Sequence, residues 1–146
     1  MSKYAAAMAL MTQRFGKDSL IALATVDGTR PTVRAVDGYY EDGAFYIVTH
    51  ALSNKMKQIA LNPAVALSGE WFTAQGVAEN LGHVLLDVHT ARMARLREVF
   101  SGWYTHGDVN EADPNTILLK IRLTDGVLMH QGTDYRINFV AGTVAE

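Results

Sequence analysis

Three of the four Asp-Gly pairs, Asp27-Gly28, Asp42-Gly43 and Asp125-Gly126, are read as turns between runs of apolar, β-branched and aromatic residues. Asp-Gly suits the two-residue hairpin turn, because both central residues of that turn take positive φ. The middle pair is the clearest. Pro31 to Tyr40 leads into it, and Ala44 to His50, with Phe45, Tyr46, Ile47 and Val48, leads away. A chain punctuated in this way is committed to antiparallel strands joined by tight turns.

The remaining segments fit around that hairpin. Tyr4, Met8, Met11 and Phe15 fall at helical spacing, so Lys3 to Phe15 reads as an amphipathic helix with Gly16 as its stop. A single positive charge precedes its apolar run, and Gln13 and Arg14 interrupt it, which is unlike an export signal. Ser19 to Thr25 is a strand. Ser53 is a candidate N-cap for a short helix in which Met56, Ile59 and Ala60 share a side, and Asn62-Pro63 ends it. Ala64 to Trp71 and Phe72 to Leu85 read as strands, the second bent at Gly76 and Gly82. Asp87 or Thr90 caps a further helix striped by Met93, Leu96, Phe100 and Trp103. His106 to Pro114 is a loop and Thr116 to Leu123 a strand. Asp125-Gly126 is expected to turn that strand into Val127 to His130, and Tyr135 to Val140 adds a last short strand. About six strands and three helices that do not alternate favour a barrel or sandwich over a doubly wound parallel sheet.

Composition narrows the function. Residues 1–146 suit a single domain, and 49% hydrophobic content suits a real core. A net charge of −2 gives no reason to expect nucleic acid. With no cysteine, disulfide and thiolate chemistry are excluded. Nothing approaches the ~18 apolar residues of a membrane span, so a cytoplasmic protein is expected. None of the five histidines has a partner at metal-ligand spacing, and no metal site is expected. No phosphate-binding glycine loop and no Gly-x-Ser-x-Gly elbow occurs.

What remains is an anion site. At the start of the short helix, free backbone N–H groups, the Ser53 hydroxyl and the Lys55 ammonium come together, and a helix N-terminus favours negative charge. Arg34 on the neighbouring strand offers a fork for phosphate. The same residues also suit a simple cap and two solvated charges.

The order Arg34-x-Val36, then Phe45-Tyr46-x-x-Thr49, then Ser53-x-Lys55, then Asn62-Pro63 and an aromatic-containing strand resembles the pyridoxamine 5'-phosphate oxidase-like superfamily. The likeness is best from Ile21 to Leu81. It implies a mainly β fold with flanking helices, a six-stranded antiparallel split β-barrel that binds FMN and pairs as a homodimer, with flavin sites at the subunit interface. Carried over, Arg34, Ser53 and Lys55 match phosphate-binding positions, and Ala35, Val36, Val48 and Thr49 match strand positions along the flavin ring. Asn54 stands where other members often have Arg, which leaves one cation fewer. Trp71 matches a strand that approaches the partner's site. The activity implied is that of a flavin-dependent oxidoreductase on an unidentified small molecule. The substrate-phosphate motif of the oxidases themselves, of Arg-x-His type, is absent near Tyr135-Arg136-Ile137. The alternatives are a non-catalytic holder of flavin, haem or another planar ligand, or a member that has lost its cofactor.

Overall fold

The computed structural model describes residues 1–146. In chain order the elements are α1 (Lys3–Phe15), β1 (Ser19–Asp27), β2 (Arg30–Glu41), β3 (Ala44–His50), α2 (Asn54–Leu61), β4 (Ala64–Gly69) and β5 (Phe72–His83). A 3-10 turn (Asp87–His89), α3 (Thr90–Val99), β6 (Thr116–His130), β7 (Thr133–Asn138) and β8 (Thr143–Val144) follow. All strand pairs are antiparallel. The order β3-β2-β1-β4-β5-β6 closes on itself, because β3 also pairs with β6. The result is a six-stranded barrel, to which β7 and β8 are added beside β6.

The barrel depends on β6, which changes neighbour halfway along. Thr116 to Arg122 pairs with β3, and Asp125 to His130 pairs with β7, while β5 runs along the other side. Between these halves Thr124 has no partner in the register that joins Gly76 to Leu123 and Gln75 to Asp125. This extra residue is a bulge, the device that bends a strand where a small barrel must curl. The expected turn at Asp125-Gly126 therefore does not form. Gly126 answers a different need: a Cβ there would come 2.8 Å from the Thr73 carbonyl oxygen. The turn lies instead at Gln131-Gly132, both at positive φ (48° and 80°). Asp42-Gly43 is the hairpin turn expected, with φ of 49° and 84°.

Two apolar clusters hold the fold. Inside the barrel Phe45, Ile21, Leu23, Leu119 and Ile121 meet Met11 and Phe15 from α1 and Met56 and Ile59 from α2. Phe15 packs against Phe45 edge-on and against Phe72, with ring centroids 5.6 and 5.4 Å apart. On the opposite face of β3, Tyr46 and Tyr39 meet Met93, Leu96 and Phe100 of α3. Because successive strand side chains alternate, β3 serves both clusters at once. The loop after α3 is tied back by Glu111, which accepts hydrogen bonds from Arg97 and Tyr104. No helix is long and apolar enough to cross a membrane.

Candidate functional site

α2 begins immediately beyond β3, and its Met56 and Ile59 are buried against the barrel. That packing fixes the helix start beside β2. Ser53 occupies the N-cap position but does not make the side-chain cap expected of it. Its hydroxyl donates to the His50 carbonyl at 2.8 Å instead. The first intrahelical bond is Lys57 N–H to Ser53 O. The N–H groups of Asn54, Lys55 and Met56 thus have no acceptor within the chain, and they form the donor set that a helix start presents to an anion.

Two cations adjoin them. The Lys55 ammonium lies 3.5 Å from Ser53 Oγ and is half-buried. Burial pushes its pKa down, and the positive charge of Arg34 pushes it further the same way. Burial lowers Arg34 too. Neither side chain forms an ion pair; the seven salt bridges of the structure lie elsewhere. A partly desolvated lysine beside an arginine, with no carboxylate between them, is an arrangement that an anion stabilises.

Arg34 is braced more firmly than its sequence position indicates. Its Nη1 donates to the Leu23 carbonyl (3.1 Å) and Thr25 Oγ1 (2.7 Å), and its Nη2 to Thr32 Oγ1 (3.0 Å) and Gln58 Oε1 (3.4 Å). The four terminal N–H groups are thereby engaged, which leaves Nε–H for another acceptor. The fork expected to grip phosphate is therefore turned toward β1 and α2. To present two donors at once, Arg34 must release Gln58, the longest of the four contacts. Thr25, Thr32 and Gln58 were not apparent from sequence. Thr32 and Arg34 at two-residue spacing on one strand face, and Asn54 and Gln58 at four-residue spacing on one helix face, are the signal that carries them.

The expected ring-lining residues separate. Val36 shares a strand face with Arg34 and packs against the barrel interior, and alternation puts Thr49 on the side of Phe45 and Ile47. Ala35 faces outward and is exposed. Val48 packs under α3 with the second cluster. Trp71 sits in the turn between β4 and β5 at φ 49° and is 68% exposed. Arg14 Nη1 donates to the Glu70 and Trp71 carbonyls, and its Nη2 lies 3.2 Å from His130 Nδ1. These residues line a cleft of about 580 Å³ that shares no wall with the Arg34 groove. His50 pairs with Asp113 at 3.0 Å, and His83 and His89 meet the carbonyls of Glu111 and Leu81.

No family model matches the chain. It is 30% identical over 115 residues to a pyridoxine/pyridoxamine 5'-phosphate oxidase of Anaplasma phagocytophilum (strain HZ), which covers 73% of this chain and 55% of that protein. The chain spans about half the length of that curated relative. General Stress Protein 26 of Bacillus anthracis strain Sterne superposes with a TM-score of 0.66 at 19% identity, over 87% of this chain and 95% of that one. An FAD-binding protein of Mesorhizobium loti superposes with a TM-score of 0.64 at 16% identity, over 81% of this chain and 90% of that one. The six-stranded ring closed by β3 and β6 is the split-barrel fold of these solved structures, and in the order of its motifs from Arg34 to Pro63 the chain is similar to pyridoxamine 5'-phosphate oxidase-like proteins.

Proposed function

We propose that the chain binds FMN and works as a homodimeric flavin-dependent oxidoreductase on a small molecule. One observation carries the reading: the Lys55 ammonium, half-buried and with no carboxylate partner, stands at the start of α2 where three backbone N–H groups are unused, within reach of the positive charge of Arg34. A phosphate dianion seated there takes the N–H groups, the Lys55 ammonium and Arg34 Nε–H, and the Ser53 hydroxyl once it turns away from the His50 carbonyl, and it offsets the cost of holding two cations near one another. Asn54, on the outer side of the same turn, adds a neutral amide. Val36 and Thr49 share the barrel side with Arg34 and are suited to the ring. The oxidase name and the FAD-binding name of two relatives support a flavin as the ligand. When bound, a flavin supplies the electron-transfer chemistry itself, and the protein's part is to hold and orient it.

The purified protein is expected to carry flavin absorption near ~450 nm, or to acquire it from added FMN with saturation. A colourless protein that takes up no FMN overturns the reading. Oxidation of NADH or NADPH above the free-flavin background separates an enzyme from a flavin holder.

The outer face of β1, β2 and β4 supports the dimer. Ala22 lies opposite Ala35, and Ala24 opposite Val33 and Ala66. Leu20 and Val33 are 70% and 67% exposed. The same face continues over β5 to β8 as an apolar groove of about 710 Å³. An apolar sheet face of this extent is characteristic of an interface. A second copy seated there covers Ala35 and brings a further surface, Trp71 among its residues, toward each site. Light scattering is expected to give a dimer, and Val33→Glu, which buries a carboxylate in the contact, a monomer. A monomeric native protein, or a dimer that persists in the variant, removes this interface.

A further inference from the structure

The Arg34 site opens into something larger than one phosphate requires. Arg34 stands at one end of a groove of about 740 Å³ between the β1–β2 hairpin and α2. One wall is a strand face. Arg30, Thr32 and Arg34 alternate on it, so the two arginine Cα atoms are about 13 Å apart at ~3.3 Å per residue. The other wall is a helix face, with Asn54, Lys57, Gln58 and Leu61 at the i, i+3, i+4, i+7 spacing.

The charge on these walls runs against that of the chain. Arg30, Arg34 and Lys57 face a single carboxylate, Asp27, within a protein of net charge −2. Asp27 pairs with Arg30 at 3.2 Å in an exposed, weak contact, and the Lys57 ammonium forms no ion pair or hydrogen bond. Leu61, 91% exposed, forms an apolar seat at the outer end. Cations spaced along a groove that ends in apolar surface match a ligand with successive phosphates followed by a flat base.

We propose that this groove holds the adenylate end of a flavin dinucleotide, so that the chain takes FAD in preference to FMN. The inference rests on the flavin reading above and deepens it. The phosphate nearest the flavin stays at the start of α2. The second phosphate reaches the Lys57 ammonium and the Arg30 guanidinium, which exchanges its exposed contact with Asp27 for a phosphate oxygen. The adenine lies over Leu61, where Asn62 offers an amide to its edge.

The experiment is a pair of titrations, with FMN and with FAD, on the native protein and on the Arg30→Ala/Lys57→Ala variant, read by flavin fluorescence and calorimetry. The native protein is expected to bind FAD at least about fivefold more tightly than FMN, and in the variant that ratio is expected to fall to near one. Equal or weaker binding of FAD by the native protein, with FMN still bound, overturns this inference and leaves the FMN reading standing. An FAD preference that survives in the variant removes the groove from recognition. If neither flavin binds, both readings fall together.

Discussion

FMN affinity is expected to fall about tenfold to a hundredfold when Lys55 is replaced by Ala, because a charge-assisted hydrogen bond contributes roughly 1.5–3 kcal/mol and each ~1.4 kcal/mol is tenfold in Kd. Lys55 is the cleaner of the two cations to remove. Its ammonium meets only Ser53 Oγ within the chain, so its loss leaves no buried partner unsatisfied. Arg34→Ala removes donors from the Leu23 carbonyl, Thr25, Thr32 and Gln58. It is expected to lower stability as well as affinity, so the double variant is compared with Arg34→Ala alone under conditions where both are folded. Titration with FMN, with circular dichroism to verify folding, measures the effect. Unchanged affinity in Lys55→Ala returns Ser53, Lys55 and Arg34 to a helix start and two structural charges.

The same site has a pH signature whose sign follows from the depressed Lys55 pKa. Between that lowered value and the ordinary 10.5, the unfolded chain holds the proton that the folded chain has released. Stability of the flavin-free protein therefore rises with pH across that window. Bound phosphate favours the charged lysine and raises its pKa, so the rise is reduced when FMN is present. FMN affinity is correspondingly expected to decline with pH before 10.5 is reached, and in Lys55→Ala this part of the decline is expected to be absent.

Phe45→Ala is expected to cost about 3–5 kcal/mol, the largest stability loss among these substitutions. Phe45 is fully buried, and its ring packs edge-on against both Phe15 of α1 and Tyr40 of β2, at 5.6 Å between centroids in each case. Truncation leaves a cavity that the neighbouring strands cannot close, because β3 is held in register by β2 on one side and by β6 on the other. A fall in Tm of about 10 °C or more is expected for a chain of this size. A loss below about 1 kcal/mol would mean that α1 is not seated on the barrel as described.

Local chemistry written into the sequence determined a good deal of this protein. The spacing of Met8, Met11 and Phe15 and the stop at Gly16 set the extent of α1, since α1 ends at Phe15. Asp42-Gly43 set the central hairpin, and Asn62-Pro63 ended α2 at Leu61. Each of these is decided within a few residues, where backbone preference and hydrophobic period act alone. Tertiary structure decided the rest. Asp125-Gly126 has the sequence of a turn, yet it lies within β6, because Gly126 must let Thr73 approach and Thr124 must bulge for the ring to close. Ser53 has the sequence of a cap, but its hydroxyl goes to His50. Arg34 has the sequence of a free fork, but Thr25 and Gln58 from two other elements hold it. A hydrogen bond or close packing contact between distant segments has no local period, so it exists only once the barrel has brought β1, β2 and α2 together.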